Sequence, residues 1–307
     1  MGTVVISVDA ELGWNGHDHD RPPAKVKDAR DGWRFVCDLF DTFDLPATWA
    51  VAGHLLLDEC DGRHEDHPLG PSWFARERTT WADRPDLRFA DGLIERVLES
   101  SPAHEIGCLG FSNVDFGAPE TSTETARAEL QAASDAARRR GLDLSSFVFP
   151  HNRVGHRGEL AAAGFDCYRG VVPGQAGRHR KLVDAMVGTP APRLVTPAVD
   201  DWGLVNIPAS LYLFAFDGVA RTLLEPAFGD PIRTRVEQGL DALADSEQVF
   251  HIWLRPSNIR KTRDRQRLRE VCASIDQRRG HVDVATMGTV TARTTRTRRH
   301  RQVGELR

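Results

Sequence analysis

The sequence is poor in paired cysteines, in lysine and in long apolar runs. Its five cysteines, Cys37, Cys60, Cys108, Cys167 and Cys272, are odd in number and far apart, with no CxxC pair. That excludes a disulfide framework and a zinc ribbon. No apolar run reaches membrane-spanning length. Met1-Gly2 leads straight into an apolar stretch with no basic segment before it. No secretory leader is therefore expected, and a cytoplasmic protein with reduced thiols is the default. Lysine occurs only at positions 25, 27, 181 and 261, and the formal net charge is −4. This balance gives no bulk electrostatic drive toward nucleic acid.

What is present points to one globular α/β domain. At 307 residues, with 40% hydrophobic and 27% charged residues, the chain can bury a substantial core as a single unit. Residues 3–8 (Thr-Val-Val-Ile-Ser-Val) carry no charge and read as a strand buried on both faces. The strand ends in Asp9 and Glu11, one residue apart and on one side of an extended backbone. Two carboxylates that close repel unless a metal, a proton or a basic side chain lies between them. Loops past the C-terminal ends of such strands are where α/β proteins gather functional groups. The plainer alternative is a solvated turn with two ordinary acids, but their position after a buried strand favours a site.

Further on, strands and helices alternate. A polar loop with His17 and His19 precedes a helix patterned by Val26, Ala29, Trp33, Val36, Leu39, Phe40 and Phe43. Strands are expected at 47–52, 104–111, 146–150, 165–168, 204–208, 248–254 and 282–284, with helices near 121–140, 232–243 and 264–277. The helix at 121 is expected to be capped by Thr121 or Thr123. Residues 60–90 are too long for a plain connection and read as a loop packed over the end of the fold, its aromatics Trp73 and Trp81 open to a subunit contact or a lid. From Thr289 onward an Arg/Thr-rich segment without periodicity predicts a disordered tail, leaving one domain over 1–288. The alternation argues for a β/α barrel.

Four stretches, taken in order, resemble the polysaccharide deacetylase (NodB-like, carbohydrate esterase family 4) superfamily: Ser7-Val8-Asp9-Ala10-Glu11, His104-Glu105-Ile106-Gly107-Cys108, Phe147-Val148-Phe149-Pro150, and the run 249–256 ending in Trp253-Leu254-Arg255-Pro256. The resemblance implies a single distorted (β/α) barrel whose site lies at the strand C-termini. It also implies a divalent metal, held by one acid and two histidines, that activates water to remove an acetyl group. Carried over, Asp9 matches the catalytic base and Glu11 the metal-binding acid. The two histidine positions hold Leu109 and Asn113 instead. The closing motif, where a histidine serves as general acid, has Arg255 and Ser257. Leucine has no lone pair to donate, a neutral amide is a poor zinc ligand, and arginine stays protonated. These departures point to metal-free chemistry, with Arg255 supplying the lost positive charge through a forked hydrogen bond to one of the acids.

Other candidates are weaker. His151 and Asn152 follow a strand end, where His151 is placed to donate a proton. Asn113, Asn152, Trp202 and Ser257 are candidate substrate contacts, Trp202 as a stacking face for a sugar. His17 and His19 offer a rebuilt metal site with Glu11. His54, His64, His67, His104 and His251 read as structural, and Cys108 as a buried small residue. Three functions stay open. The first is a metal-independent enzyme acting on an amide or related C–N bond of a small molecule or sugar derivative. In it Asp9 is the base, Glu11 an orienting or second acid/base group, and Arg255 an oxyanion clamp. The second is a zinc-dependent deacetylase with a rebuilt site. The third is a non-catalytic binder of a glycan or metabolite. No cofactor, nucleic acid or membrane partner is expected, and an oligomer is left open.

Overall fold

A computed structural model describes residues 1–16, 28–171, 191–215 and 230–305. Strand β1 (Gly2–Ala10) is buried along nearly its whole length. Its even-numbered residues Val4, Ile6, Val8 and Ala10 join a large apolar cluster with the helices, whereas Val5 joins a second, smaller cluster. This is the two-faced burial that a central parallel strand requires. Parallel partners flank it: β9 (Val249–Leu254) on one side, β2 (Thr48–Val51) and β10 (Val282–Ala285) on the other. Beyond β2 the sheet continues through β3 (Glu105–Cys108), β4 (Ser146–Val148) and β5 (Cys167–Arg169), all parallel.

One irregular run closes the curl. It begins as β7 (Val205–Asn206), paired with β5, and with β6 (Ala198–Val199) antiparallel on its other edge. It touches Val171 at Ala209 and ends as β8 (Leu211–Tyr212), paired with β9. The chain from 205 to 212 thus spans from β5 to β9 and makes the sheet a distorted barrel. The smaller cluster (Val5, Ala50, Val148, Cys167, Val205, Ile207, Val249) fills its interior, and the larger one lies between sheet and helices.

Helices cover the outside. Helix α1 (Ala29–Thr42) buries Ala29, Gly32, Trp33, Val36, Cys37, Leu39 and Phe40, a single stripe of helical spacing. α2 (Leu93–Leu98), α3 (Thr123–Arg139), α4 (Arg157–Ala162), α5 (Pro231–Ala244) and α6 (Thr262–Asp276) follow in turn. The cap of α3 is Ser122, whose hydroxyl accepts from Thr125 N at 3.1 Å, not either neighbouring threonine.

Two expectations are corrected. The excursion after β2 carries the helical turns Gly70–Trp73, Ala75–Arg78 and Pro85–Arg88, and Trp81 in it is fully buried. The ring meets Trp14 edge-on at 5.5 Å, so it anchors the excursion and offers no surface. The C-terminal segment is not an unordered tail: α7 runs Met287–Glu305. Met287 and Val290 join the barrel's interior cluster, Met287 N donates to Thr48 Oγ1 at 2.8 Å, and Gly288 N donates to Glu105 Oε2 at 2.9 Å. A carboxylate over the first turn and two buried side chains hold a helix that composition alone disfavours. No helix among the described residues is long and apolar enough to cross a membrane.

Candidate functional site

Side chains facing into the barrel change character along its axis. On β1 the inward residues are Val5, Ser7 and Asp9; on β9 they are Val249, His251 and Trp253; on β5, Cys167 and Arg169. Toward the strand C-termini the lining therefore passes from apolar through polar to charged. Asp9, Glu11 and Arg169 are each no more than 3% exposed. Arg169 grips Asp9 with both prongs, Nη1–Oδ1 at 2.6 Å and Nη2–Oδ2 at 3.0 Å. The same guanidinium donates to Ser7 Oγ at 3.0 Å and to Asn152 Oδ1 at 2.9 Å, and lies 4.4 Å from the centre of the Trp253 ring.

Beneath this pair the hydrogen bonds fix their own direction. His251 Nδ1 faces the Ile207 carbonyl at 3.0 Å, which can only accept, so Nδ1 carries the proton. Nε2 then accepts from Ser7 Oγ at 2.9 Å, leaving the Ser7 lone pairs to the Arg169 proton. Burial, reinforced by the Arg169 charge, pushes His251 down to about 3, so its imidazole is neutral. The sequence expectation of a hydrogen-bonded core histidine holds.

Arg255 sits at the rim. Its Nε lies 3.5 Å from Asp9 Oδ2 and 3.5 Å from Glu11 Oε2, and its side chain is 21% exposed. Burial works against its charge, but Glu11 and then Asp9 more than reverse that and hold its pKa above the ordinary arginine value. Arg255 thus does supply charge between the two acids. The fork, however, is made by Arg169, which the motif reading passed over. The signal was present: Cys167-Tyr168-Arg169 alternates inward, outward, inward, and an arginine on the inward face of a buried strand needs a carboxylate.

Arg255 is placed by packing behind it. Residues Pro256–Asn258 form a turn against which α1 presses so closely that a Cβ on Gly32 would lie 2.1 Å from the Pro256 carbonyl oxygen. Ser257, Asp9, Glu11, Leu12, Ala29, Trp33 and Pro256 line a crevice too narrow to admit a water molecule. Asn113, at φ +65°, donates from Nδ2 to the Trp14 carbonyl at 3.1 Å, which ties down the turn Leu12–Gly16 just after Glu11. Leu109 is buried among apolar side chains of the barrel interior. Cys108 is buried and its thiol is pushed up by desolvation, as a packed core residue should be.

The remaining candidates divide around Asn152. Asn152 lines an open cleft of about 780 Å3 together with Trp202, Tyr168, His156, Glu159 and Asn206. Trp202 is 45% exposed in this cleft, with the Arg157 guanidinium 4.0 Å over its ring. Asn152 therefore connects the cleft to the Asp9–Arg169 pair. His151 is exposed, with φ +57°, and makes no hydrogen bond to the charged cluster. His17 and His19 lie outside the described residues.

The positions that the motif resemblance assigns to a divalent ion do not suit one. Both Asp9 oxygens already accept from Arg169, Arg255 stands beside Glu11, Leu109 has no donor atom, and Asn113 offers only a neutral amide oxygen, a poor ligand. A cation there would face two guanidiniums.

Taken together, strand order and closure define the barrel of the polysaccharide deacetylase fold. The solved structures similar to this chain include a protein from Mycobacterium smegmatis provisionally described as a polysaccharide deacetylase, at 16% identity and TM-score 0.63, covering 96% of this chain and 91% of that one. Puue allantoinase is similar at 13% identity and TM-score 0.56, covering 94% and 89%. A protein from Pseudomonas aeruginosa PAO1, also provisionally described as a polysaccharide deacetylase, has the same figures: 13%, 0.56, 94% and 89%. No family model and no curated protein matches the sequence. These likenesses bear out the fold that the four sequence stretches implied.

Proposed function

We propose that this protein is a metal-independent enzyme of deacetylase fold, acting on an amide or related C–N bond of a small molecule or sugar derivative. One observation carries the reading. Where the resemblance places a metal ion, two guanidiniums lie against the two acids, one sealed in and one partly open. Burying four charges is expensive and adds little stability, so such a cluster at the functional end of a barrel is a functional-site signal.

The geometry redistributes the roles. Asp9, with both oxygens committed to Arg169, is the anchor and not the base. Glu11 is the acid/base group, and Arg255 is the clamp for a developing oxyanion. The cleft at Asn152 and Trp202 receives the rest of the substrate, with the Trp202 face suited to a sugar ring. The polysaccharide deacetylase descriptions of the similar structures favour a carbohydrate derivative.

The test is hydrolysis of a panel of N-acetylated sugars and small ureides by the native protein, Glu11→Gln and Arg255→Met. The reading expects turnover that falls by about 100-fold or more in each variant. A second reading, a binder without chemistry, draws on the crevice too narrow for water. Saturable binding of a panel member that Trp202→Ala weakens, with no turnover by the native protein, would establish it and refute the enzyme.

A further inference from the structure

A second set of chemically active side chains lies apart from the barrel mouth, in the excursion after β2. His54 follows β2 on the turn Gly53–Leu56; Cys60 and His64 lie four apart; Glu77 is on the turn Ala75–Arg78. One donor atom from each lies within 4.8 Å of every other. His54 Nε2 is 2.8 Å from Glu77 Oε2, His64 Nε2 is 2.9 Å from Glu77 Oε1, and Cys60 Sγ is 3.2 Å from His64 Nε2. His54 is fully buried, yet its Nε2 makes no hydrogen bond of proper geometry.

We propose that His54, Cys60, His64 and Glu77 form a structural site for a tetrahedral transition-metal ion, zinc by donor type, that pins the excursion onto the barrel. Two imidazoles, a thiolate and a carboxylate are a donor set that zinc takes. Donors around a tetrahedral zinc stand about 3.3–3.8 Å apart, so this cluster would need only small shifts to receive one.

The surroundings are those of a metal site as well. His54 Nδ1 faces the Arg88 carbonyl at 3.2 Å, which directs the Nε2 lone pair into the cluster. Gly62 N donates to Cys60 Sγ at 3.2 Å, as suits a thiolate. Arg88 holds Glu77 Oε2 at 3.1 Å, leaving Oε1 to a metal. Trp14, Phe74, Phe89 and Phe111 pack around the imidazoles and fix their orientation. A metal there would close a loop of more than twenty residues from His54 to Glu77.

Because the other four cysteines are buried, alkylation of the native full chain reads Cys60 directly. The full chain is stripped with chelator and then titrated with zinc or cobalt. The proposal expects one bound ion per chain, a thiolate-to-cobalt charge-transfer band, and Cys60 alkylation slowed by about tenfold or more with zinc. Cys60→Ser and His64→Gln should each weaken zinc by about 100-fold or more, while Glu11→Gln binds it unchanged. Equal alkylation with and without zinc would overturn the proposal without recourse to any variant. So would an ion retained in Cys60→Ser, or one lost in Glu11→Gln.

Discussion

Removing the guanidinium of Arg169 should be the most damaging single change at the barrel mouth. Arg169→Met keeps most of the side-chain volume but deletes four hydrogen bonds, two to Asp9 and one each to Ser7 and Asn152. Asp9 would be left buried without its counter-charge, and Ser7 would lose its donor. Breaking a buried ion pair from one side costs about 3–5 kcal/mol, far above the worth of a surface pair. At roughly 2 °C per kcal/mol for a chain of this size, the melting temperature should fall by about 6–10 °C. The double variant Asp9→Leu/Arg169→Met removes both charges and should recover most of the loss. Urea unfolding of the native protein, both single variants and the double variant completes the cycle. A single-variant cost under about 1 kcal/mol, or strictly additive costs in the double variant, would refute the argument that these groups are a coupled, desolvated unit.

Two further outcomes follow from the same geometry. His251 is held neutral, at about 3 against 6.5 for the free side chain. Between those values the unfolded chain binds a proton that the folded chain does not, so stability falls as pH drops from about 6.5 toward 3. In His251→Asn that part of the acid sensitivity, on the order of a few kcal/mol, should disappear; an unchanged pH profile of urea midpoints would contradict the assignment. Gly32→Ala should cost about 1–3 kcal/mol and, by displacing the turn that carries Arg255, lower any activity, because no Cβ fits 2.1 Å from the Pro256 oxygen. Unchanged stability by thermal melting would show that the turn yields.

How much of this was legible in the sequence depended on how local the cause was. β1 and its acids could be read directly, since an uncharged β-branched run ending in carboxylates has few other interpretations. Arg255 could be placed because a motif surrounds it. Arg169 carried a weaker signal, the alternation of a strand only three residues long, and its partner lies 160 positions away. The histidines at 54 and 64 were read as structural because nothing in the order of the chain brings them to Cys60 and Glu77; the packing of the excursion does. The segment after Thr289 looks like a solvated tail because its surface is polar, and the partners of its first two amides, Thr48 and Glu105, lie far upstream.

In the proposed mechanism arginines, not a cation, hold the two acids at the barrel mouth. Diffraction from crystals soaked in zinc, with anomalous differences collected at the zinc edge, tests it most directly. No peak is expected within coordinating distance of Asp9 or Glu11, with the Arg169 fork intact. A peak between those carboxylates, with Arg255 displaced from them, would contradict it.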